Sequence, residues 1–211
     1  MGNKDINCIL FDFDGVLIDS LPAMKIAWKS VQNKYGISNT FVDYKKYIGL
    51  PFKEILKKLN IDKKYHKGIK EHYSKISSQN KQLIKLNPYV NYTLDWLKGN
   101  LIKTGIVTSK DKVRTFELVQ YFQLNVEIVV TPELTKFGKP SSEPILFAAK
   151  NLKLNTNEII FVGDMESDMN CALNANCNYL HYISGYQYLN YQMYGGEISS
   201  IIELNEYINN F

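Results

Sequence analysis

The sequence predicts an α/β protein: a parallel sheet flanked by helices, with an all-helical unit inserted after the first strand. Short apolar runs alternate with helix-period segments along most of the chain, which implies parallel strands joined by crossover helices. The first run ends directly on an acidic pair, Asp12 and Asp14, and polar residues also follow the later runs. Between the first run and the rest lies a lysine-rich stretch with broadly helical apolar spacing.

Asn7–Phe11 reads as a buried strand because it is short, continuously apolar and ends at charge. From Leu21 to about Leu86, residues Ile26, Val31, Ile48, Ile55, Leu56, Leu59, Ile69 and Ile76 recur at helical spacing. Gly36 and Gly49-Leu50-Pro51 punctuate that stretch. Pro88 opens a helix carrying Leu94, Trp96 and Leu97. Lys103–Ser109 is a strand ending in hydroxyls, and a helix follows through Val113, Leu118 and Val119. Then come a strand at Val126–Val130, a helix at Glu143–Leu152 and a strand at Glu158–Val162. Met169–Ala175 reads as a helix, Tyr179–Ile183 as a strand and Ile198–Ile208 as a closing helix. The expected organisation is a Rossmann-like core from residues 1–15 and 88–211, interrupted by a helical unit at 16–87.

Composition narrows the function classes. The 211 residues are 45% apolar and 22% charged, ordinary for a globular chain with one core and a modest insert. No run of about 18 apolar residues exists, which argues against a spanning helix. The first residues lack an apolar signal core, and Ile6 stands where a myristoylation signal needs Ser or Thr. Cys8, Cys171 and Cys177 form no CxxC pair, so a cytoplasmic location is expected, with Cys8 a small buried hydrophobe. Leu21–Asn87 holds 15 Lys against four acidic residues, whereas the chain as a whole is only +4. That excess reads either as a solvated helical surface or as a basic wall facing an anionic ligand. The lysines are scattered and no nucleic-acid-binding motif is present, so nucleic acid is not an expected partner. The late tyrosines, Tyr179, Tyr182, Tyr186, Tyr188, Tyr191 and Tyr194, read as a strand and an aromatic surface loop rather than an oligomer interface.

Four polar features fall just past predicted strand ends: Asp12/Asp14, Thr108/Ser109, Lys139 and Asp164/Asp168. In open parallel sheets the carboxyl edge is where ligands bind, so these distant segments converge there. Converging carboxylates repel, so either their pKa values rise or a cation sits among them. Mg²⁺ suits such a set, since it takes one or two carboxylates, keeps waters and accepts a phosphate oxygen. Lys139 adds a positive charge, and Thr108 and Ser109 add hydroxyl and backbone donors. That inventory holds a phosphoryl group whose transition state spreads negative charge. An EF-hand reading of Asp12–Asp19 fails, because Gly15 is at the fourth position and Val16-Leu17-Ile18 fills ligand positions.

Asp12-Phe13-Asp14-Gly15-Val16, Thr108, Lys139-Pro140 and Gly163-Asp164-Met165-Glu166-Ser167-Asp168 resemble, in order and spacing, the four motifs of the haloacid-dehalogenase superfamily. The helical insert directly after the first motif is similar to the branch of phosphoglycolate phosphatases and β-phosphoglucomutase. The resemblance implies that Asp12 is a nucleophile forming an aspartyl-phosphate, and that Asp14 is the general acid and base. It implies phosphate binding by Thr108, Ser109 and Lys139. It further implies Mg²⁺ held by Asp12, the backbone carbonyl of Asp14, Asp164 and Asp168 through water. The insert would be a mobile cap that selects a small phosphorylated metabolite through Gly49, Leu50, Pro51 and Lys53.

Two departures separate the chain from the mutases. Met24 stands where their cap carries His, and Phe52 stands where it carries Arg. The second motif reads Thr108-Ser109-Lys110 where the phosphoglycolate phosphatases usually show Thr-Asn-Lys. A phosphoaccepting receiver domain also uses Asp, Mg²⁺, Thr or Ser, and Lys. However, it is about half this length, and its acceptor follows the third strand rather than the first. A non-catalytic binding protein on the same fold is the remaining rival. The expected activity is therefore phosphate monoester hydrolysis, ahead of phosphate transfer within a sugar.

Overall fold

The fold is that of a computed structural model, which describes residues 6–183, 186 and 196–209. Six parallel strands form the main sheet in the order β5-β4-β1-β6-β7-β8. They are β1 (Cys8–Phe11), β4 (Lys103–Val107), β5 (Ile128–Val130), β6 (Ile159–Gly163), β7 (Asn178–Tyr182) and β8 (Glu197–Ile198). β1 lies centrally, pairing Cys8 with Lys103 on one side and with Ile159 on the other. Strand periodicity sends alternate side chains to opposite faces. Ile9, Phe11, Ile160 and Val162 accordingly join one core with α5 (Val90–Gly99), α6 (Lys112–Tyr121) and α9 (Glu203–Asn209). Cys8, Leu10, Ile159 and Phe161 join the other, with α7 (Glu143–Leu152) and α8 (Glu166–Asn174). Burial on both faces explains why these strands read as unbroken apolar runs.

The lysine-rich stretch forms α1 (Leu21–Tyr35), α2 (Phe41–Lys45), α3 (Phe52–Lys58) and α4 (Lys63–Gln79). Local signals set their ends. Pro22 sits in the first turn of α1, and Gly36 closes it in the left-handed conformation, at φ 64°. Thr40 and Asp43 form a capping box on α2, and the Asp62 carboxylate caps α4. The four helices share a third core around Trp28, which is fully buried and stacks on Tyr44 at 4.6 Å between ring centroids. Trp28 Nε1 donates to the Asn39 carbonyl at 3.0 Å. The chain enters and leaves this unit through a two-stranded antiparallel pair, β2 (Ile18–Asp19) and β3 (Lys85–Leu86).

Four expectations need correction. The region read as a closing helix from Ile198 begins as edge strand β8, and the helix starts only at Glu203. Ile198, Ile201 and Leu204 all enter the same core, so a strand, a turn and a helix together mimic helical spacing. The helix expected from Met169 starts at Glu166, because the Asp168 carboxylate accepts the Met165 backbone N–H at 3.0 Å and caps it. Ile26 follows the helical spacing of its stretch but is 42% exposed. Tyr186, read as part of an aromatic surface loop, is itself buried, in the same core as Trp28. Tyr179 and Tyr182 are buried in β7, and Tyr188, Tyr191 and Tyr194 lie outside the described residues. Among the described residues, no helix is long and apolar enough to cross a membrane.

Trp28→Ala should cost about 3–5 kcal/mol of stability, the usual range for emptying a buried tryptophan site. Urea denaturation reads it as a lower midpoint, and an unchanged midpoint would contradict this account of the helical core.

Candidate active site

Asp12 follows β1 directly, and its backbone N–H donates to Val162 O at 2.8 Å, which locks it to the end of β6. Its carboxylate is buried, and Oδ1 accepts from Lys139 Nζ at 2.7 Å. The same ammonium lies 2.5 Å from Asp168 Oδ1 and also donates to the Val107 carbonyl at 3.4 Å. One carboxylate oxygen each of Asp12, Asp164 and Asp168 lie within 4.8 Å of one another. Asp168 thus divides its work, with Oδ2 capping α8 and Oδ1 facing Lys139.

This crowding has electrostatic consequences. Burial pushes the Asp12 carboxyl up to about 7; Lys139 pulls it back, while Asp168 and Asp14 add repulsion. Burial alone would lower the Lys139 ammonium, but Asp12 and Asp168 more than reverse that and hold it above its ordinary value. Lys139 offsets one of three clustered negative charges. A hard dication with oxygen ligands fits the remainder, and the donors are all carboxylate oxygens, as Mg²⁺ requires. Gly15 permits the approach. It sits at φ 99°, and a Cβ there would lie 2.3 Å from Asp164 Oδ2.

Asp14 is 8% exposed and gripped at both oxygens. Ser20 Oγ donates to Oδ1, and Lys110 Nζ pairs with Oδ2 at 3.0 Å. Thr108 ends β4 with its N–H on Val130 O, and its Oγ1 accepts the Lys110 N–H at 3.1 Å. Ser109 is oriented differently from the expectation of a phosphate donor: its hydroxyl donates to the Gly49 carbonyl at 2.6 Å. That contact joins the core to the helical unit. Gly49, at φ 96°, has no room for a side chain, since a Cβ there would meet Ser167 Oγ at 2.7 Å.

These groups floor a cavity of about 240 Å³ between sheet edge and helical unit. Asp12, Asp14, Thr108, Ser109 and Lys110 line it from below, and Gly49, Leu50, Pro51 and Lys53 line it from above. Lys139, Asp164 and Asp168 stand behind Asp12 rather than on the cavity wall. The upper wall also includes Met24, Tyr44, Phe52, Lys70 and Tyr73, and Arg114 of α6 reaches it from the core side. Arg114 is buried, pairs with Glu117 and reaches Ser77 Oγ on α4 at 3.3 Å. Sequence reading missed Lys110, Ser20 and Arg114 as site residues. Lys110 had a signal, being next to Thr108-Ser109, whereas Ser20 and Arg114 are revealed only by packing.

Three comparisons relate the chain to known proteins. The family model described as haloacid dehalogenase-like hydrolase matches residues 9–181. A phosphoglycolate phosphatase of Aquifex aeolicus is 27% identical over 193 residues, covering 88% of each chain. A pyrophosphatase, PpaX, of Bacillus velezensis is 30% identical over 178 residues, covering 83% of this chain and 82% of that one. The crystal structure of a hydrolase from Pseudomonas syringae has the same fold, with a TM-score of 0.88 at 22% identity, covering 97% of this chain and 99% of that one.

Lys139→Met would leave Asp12 and Asp168 buried without their ammonium. In divalent-free buffer it should cost about 3–5 kcal/mol, the usual penalty for breaking one side of a buried pair. Denaturant melts check this, and a variant as stable as the wild type would contradict the assigned pairing.

Proposed function

The chain belongs to the haloacid dehalogenase-like hydrolase family, and on that premise we propose that it is a Mg²⁺-dependent phosphatase acting on a small phosphate monoester through an aspartyl-phosphate on Asp12. The observation that carries this reading is the buried Asp12 carboxylate, held by Lys139 beside Asp164 and Asp168 at the floor of a cavity roofed by the helical unit. The catalytic core is residues 1–15 and 88–211, and residues 16–87 form the cap. The buried free thiols Cys8, Cys171 and Cys177 suit a reducing cytoplasm.

In the first half-reaction an Asp12 oxygen attacks phosphorus, and the bond from phosphorus to the ester oxygen breaks. Asp14 gives its proton to the departing oxygen, so the product leaves as a neutral alcohol. In the second half-reaction Asp14 takes a proton from water, whose oxygen attacks phosphorus. Inorganic phosphate leaves, and the Asp12 carboxylate is restored. Thr108, Lys110 and Lys139 supply donors and positive charge around the phosphoryl oxygens. Asp12, Asp164 and Asp168, with the Asp14 carbonyl, would hold Mg²⁺, which would supply charge to offset the dianionic phosphate. The cap excludes bulk water.

Lys53 and Lys70, both on the upper cavity wall, suit a leaving group that is itself anionic or polar. The phosphoglycolate and pyrophosphate of the relatives' names are of that kind. Hydrolysis is favoured over transfer within a sugar, because the cap positions that serve mutases hold apolar groups here. Met24 lines the cavity, and the Phe52 ring packs on Tyr73 at 4.8 Å. Neither can donate a hydrogen bond to a sugar hydroxyl or deprotonate one.

A panel of small phosphate monoesters with purified protein tests this. With Mg²⁺, inorganic phosphate should appear in step with substrate loss, and EDTA should slow release by about 100-fold or more, as expected when several kcal/mol of charge stabilisation are removed. Full turnover in EDTA would contradict the metal assignment. Efficient conversion of β-glucose 1-phosphate to glucose 6-phosphate, with little free phosphate, would establish a mutase instead.

A further inference from the structure

Ser20 occupies the N-cap of α1, the position where a serine hydroxyl ordinarily accepts a backbone N–H from the first turn. Here it makes no such bond, because its hydroxyl donates to Asp14 Oδ1. At the helix start the Leu21 N–H is accepted locally by Asp19 Oδ1 at 3.1 Å, and a second acceptor arrives from 166 residues beyond Ser20. Tyr186 places its hydroxyl oxygen 2.8 Å from the Ser20 N–H and 3.1 Å from the Leu21 N–H, accepting from both. The next residue, Pro22, has no N–H to offer. The same hydroxyl lies 3.2 Å from Ser20 Oγ and donates to Asp19 Oδ1 at 3.4 Å. The ring is 8% exposed and packs with Met24 and Trp28 in the core of the helical unit.

We propose that Tyr186 is a positioning residue for the general acid and base: its hydroxyl, bonded to the Ser20 N–H and 3.2 Å from Ser20 Oγ, anchors Ser20 so that the Ser20 hydroxyl is aimed at Asp14. The proposal rests on the phosphatase reading for its catalytic consequence, but the anchoring contact does not. The chain between β2 and α1 is the passage into the helical unit, so this hydroxyl ties the start of that unit to the carboxylate that must face the ester oxygen. Without it, the Ser20 N–H loses this acceptor and the Ser20 hydroxyl loses the neighbour 3.2 Å away that fixes it. A fluctuating Ser20 leaves Asp14 held by Lys110 alone among the contacts described.

Tyr186→Phe removes only the hydroxyl and keeps the packed ring. An alkyl phosphate needs a proton on its departing oxygen, whereas p-nitrophenyl phosphate, with an acidic leaving group, hardly does. The value of kcat/KM reports the steps up to departure of the leaving group. Tyr186→Phe should therefore lower kcat/KM by about tenfold for an alkyl monoester but only about twofold for p-nitrophenyl phosphate, as expected for partial loss of general acid catalysis. Ser20→Ala should give the same split. The double variant should be no worse than the more impaired single one, as expected for residues acting through one contact. Amide exchange supplies the readout independent of turnover: the Ser20 N–H, which loses this acceptor, should exchange faster in Tyr186→Phe, whereas the Leu21 N–H keeps Asp19 Oδ1. Equal losses on both substrates, wild-type kinetics on both, or unchanged exchange at the Ser20 amide would each overturn the proposal. A wild-type protein that releases no phosphate from any monoester would sink the phosphatase reading instead, and the exchange data would still decide whether Tyr186 anchors Ser20.

Discussion

Three carboxylates and one ammonium are buried side by side at the carboxyl edge of the sheet, and most of the local architecture follows from the need to keep them there. Burying a charge is costly unless partners compensate it. Lys139 bridges Asp12 and Asp168, Asp168 is also spent on the start of α8, and Gly15 leaves its side-chain volume to Asp164. The groups come from the ends of β1 and β6, from the first turn of α8 and from the loop after β5, so only the parallel sheet brings them together. This crowding of buried charge would suit a dication and a phosphate dianion.

The helical unit is built as a roof over that floor. It has its own aromatic core around Trp28, yet it meets the sheet domain at specific polar contacts. Ser109 donates to Gly49, and Arg114 reaches Ser77 while pairing with Glu117, which in turn accepts from Ser78 at 3.0 Å. These contacts bound the cavity of about 240 Å³ between roof and floor. On the proposed reading, shape and charge at the roof would select the substrate, while the floor would supply the chemistry.

The floor was largely legible in the sequence, and the connections between its parts were not. Cys8–Phe11 and Glu143–Leu152 announce themselves through an unbroken apolar run and a helix-period run opened by a proline. Asp12, Asp14 and Asp164 follow strand ends, and Asp168 lies in the first turn of the helix after β6, so a parallel sheet makes them neighbours. By contrast, β2 and β3 are two residues each, too short to show any period. The start of α8 was hidden because the residue that caps it, Asp168, reads first as a site carboxylate. Ser109 reads as a donor to ligand, but its hydroxyl turns to the roof. Tyr186 reads as one of several surface tyrosines, and only the fold shows its hydroxyl at Ser20 and Leu21.

The central claim is that the buried Asp12 carboxylate attacks phosphorus. Rapid acid quenching of turnover with a ³²P-labelled monoester, followed by digestion and mapping of the label, tests it most directly. The account predicts a phosphoryl adduct on the peptide containing Asp12, forming before inorganic phosphate appears and absent in Asp12→Asn. Label on a different residue, or phosphate release with no covalent adduct while Asp12→Asn still turns over, would contradict it.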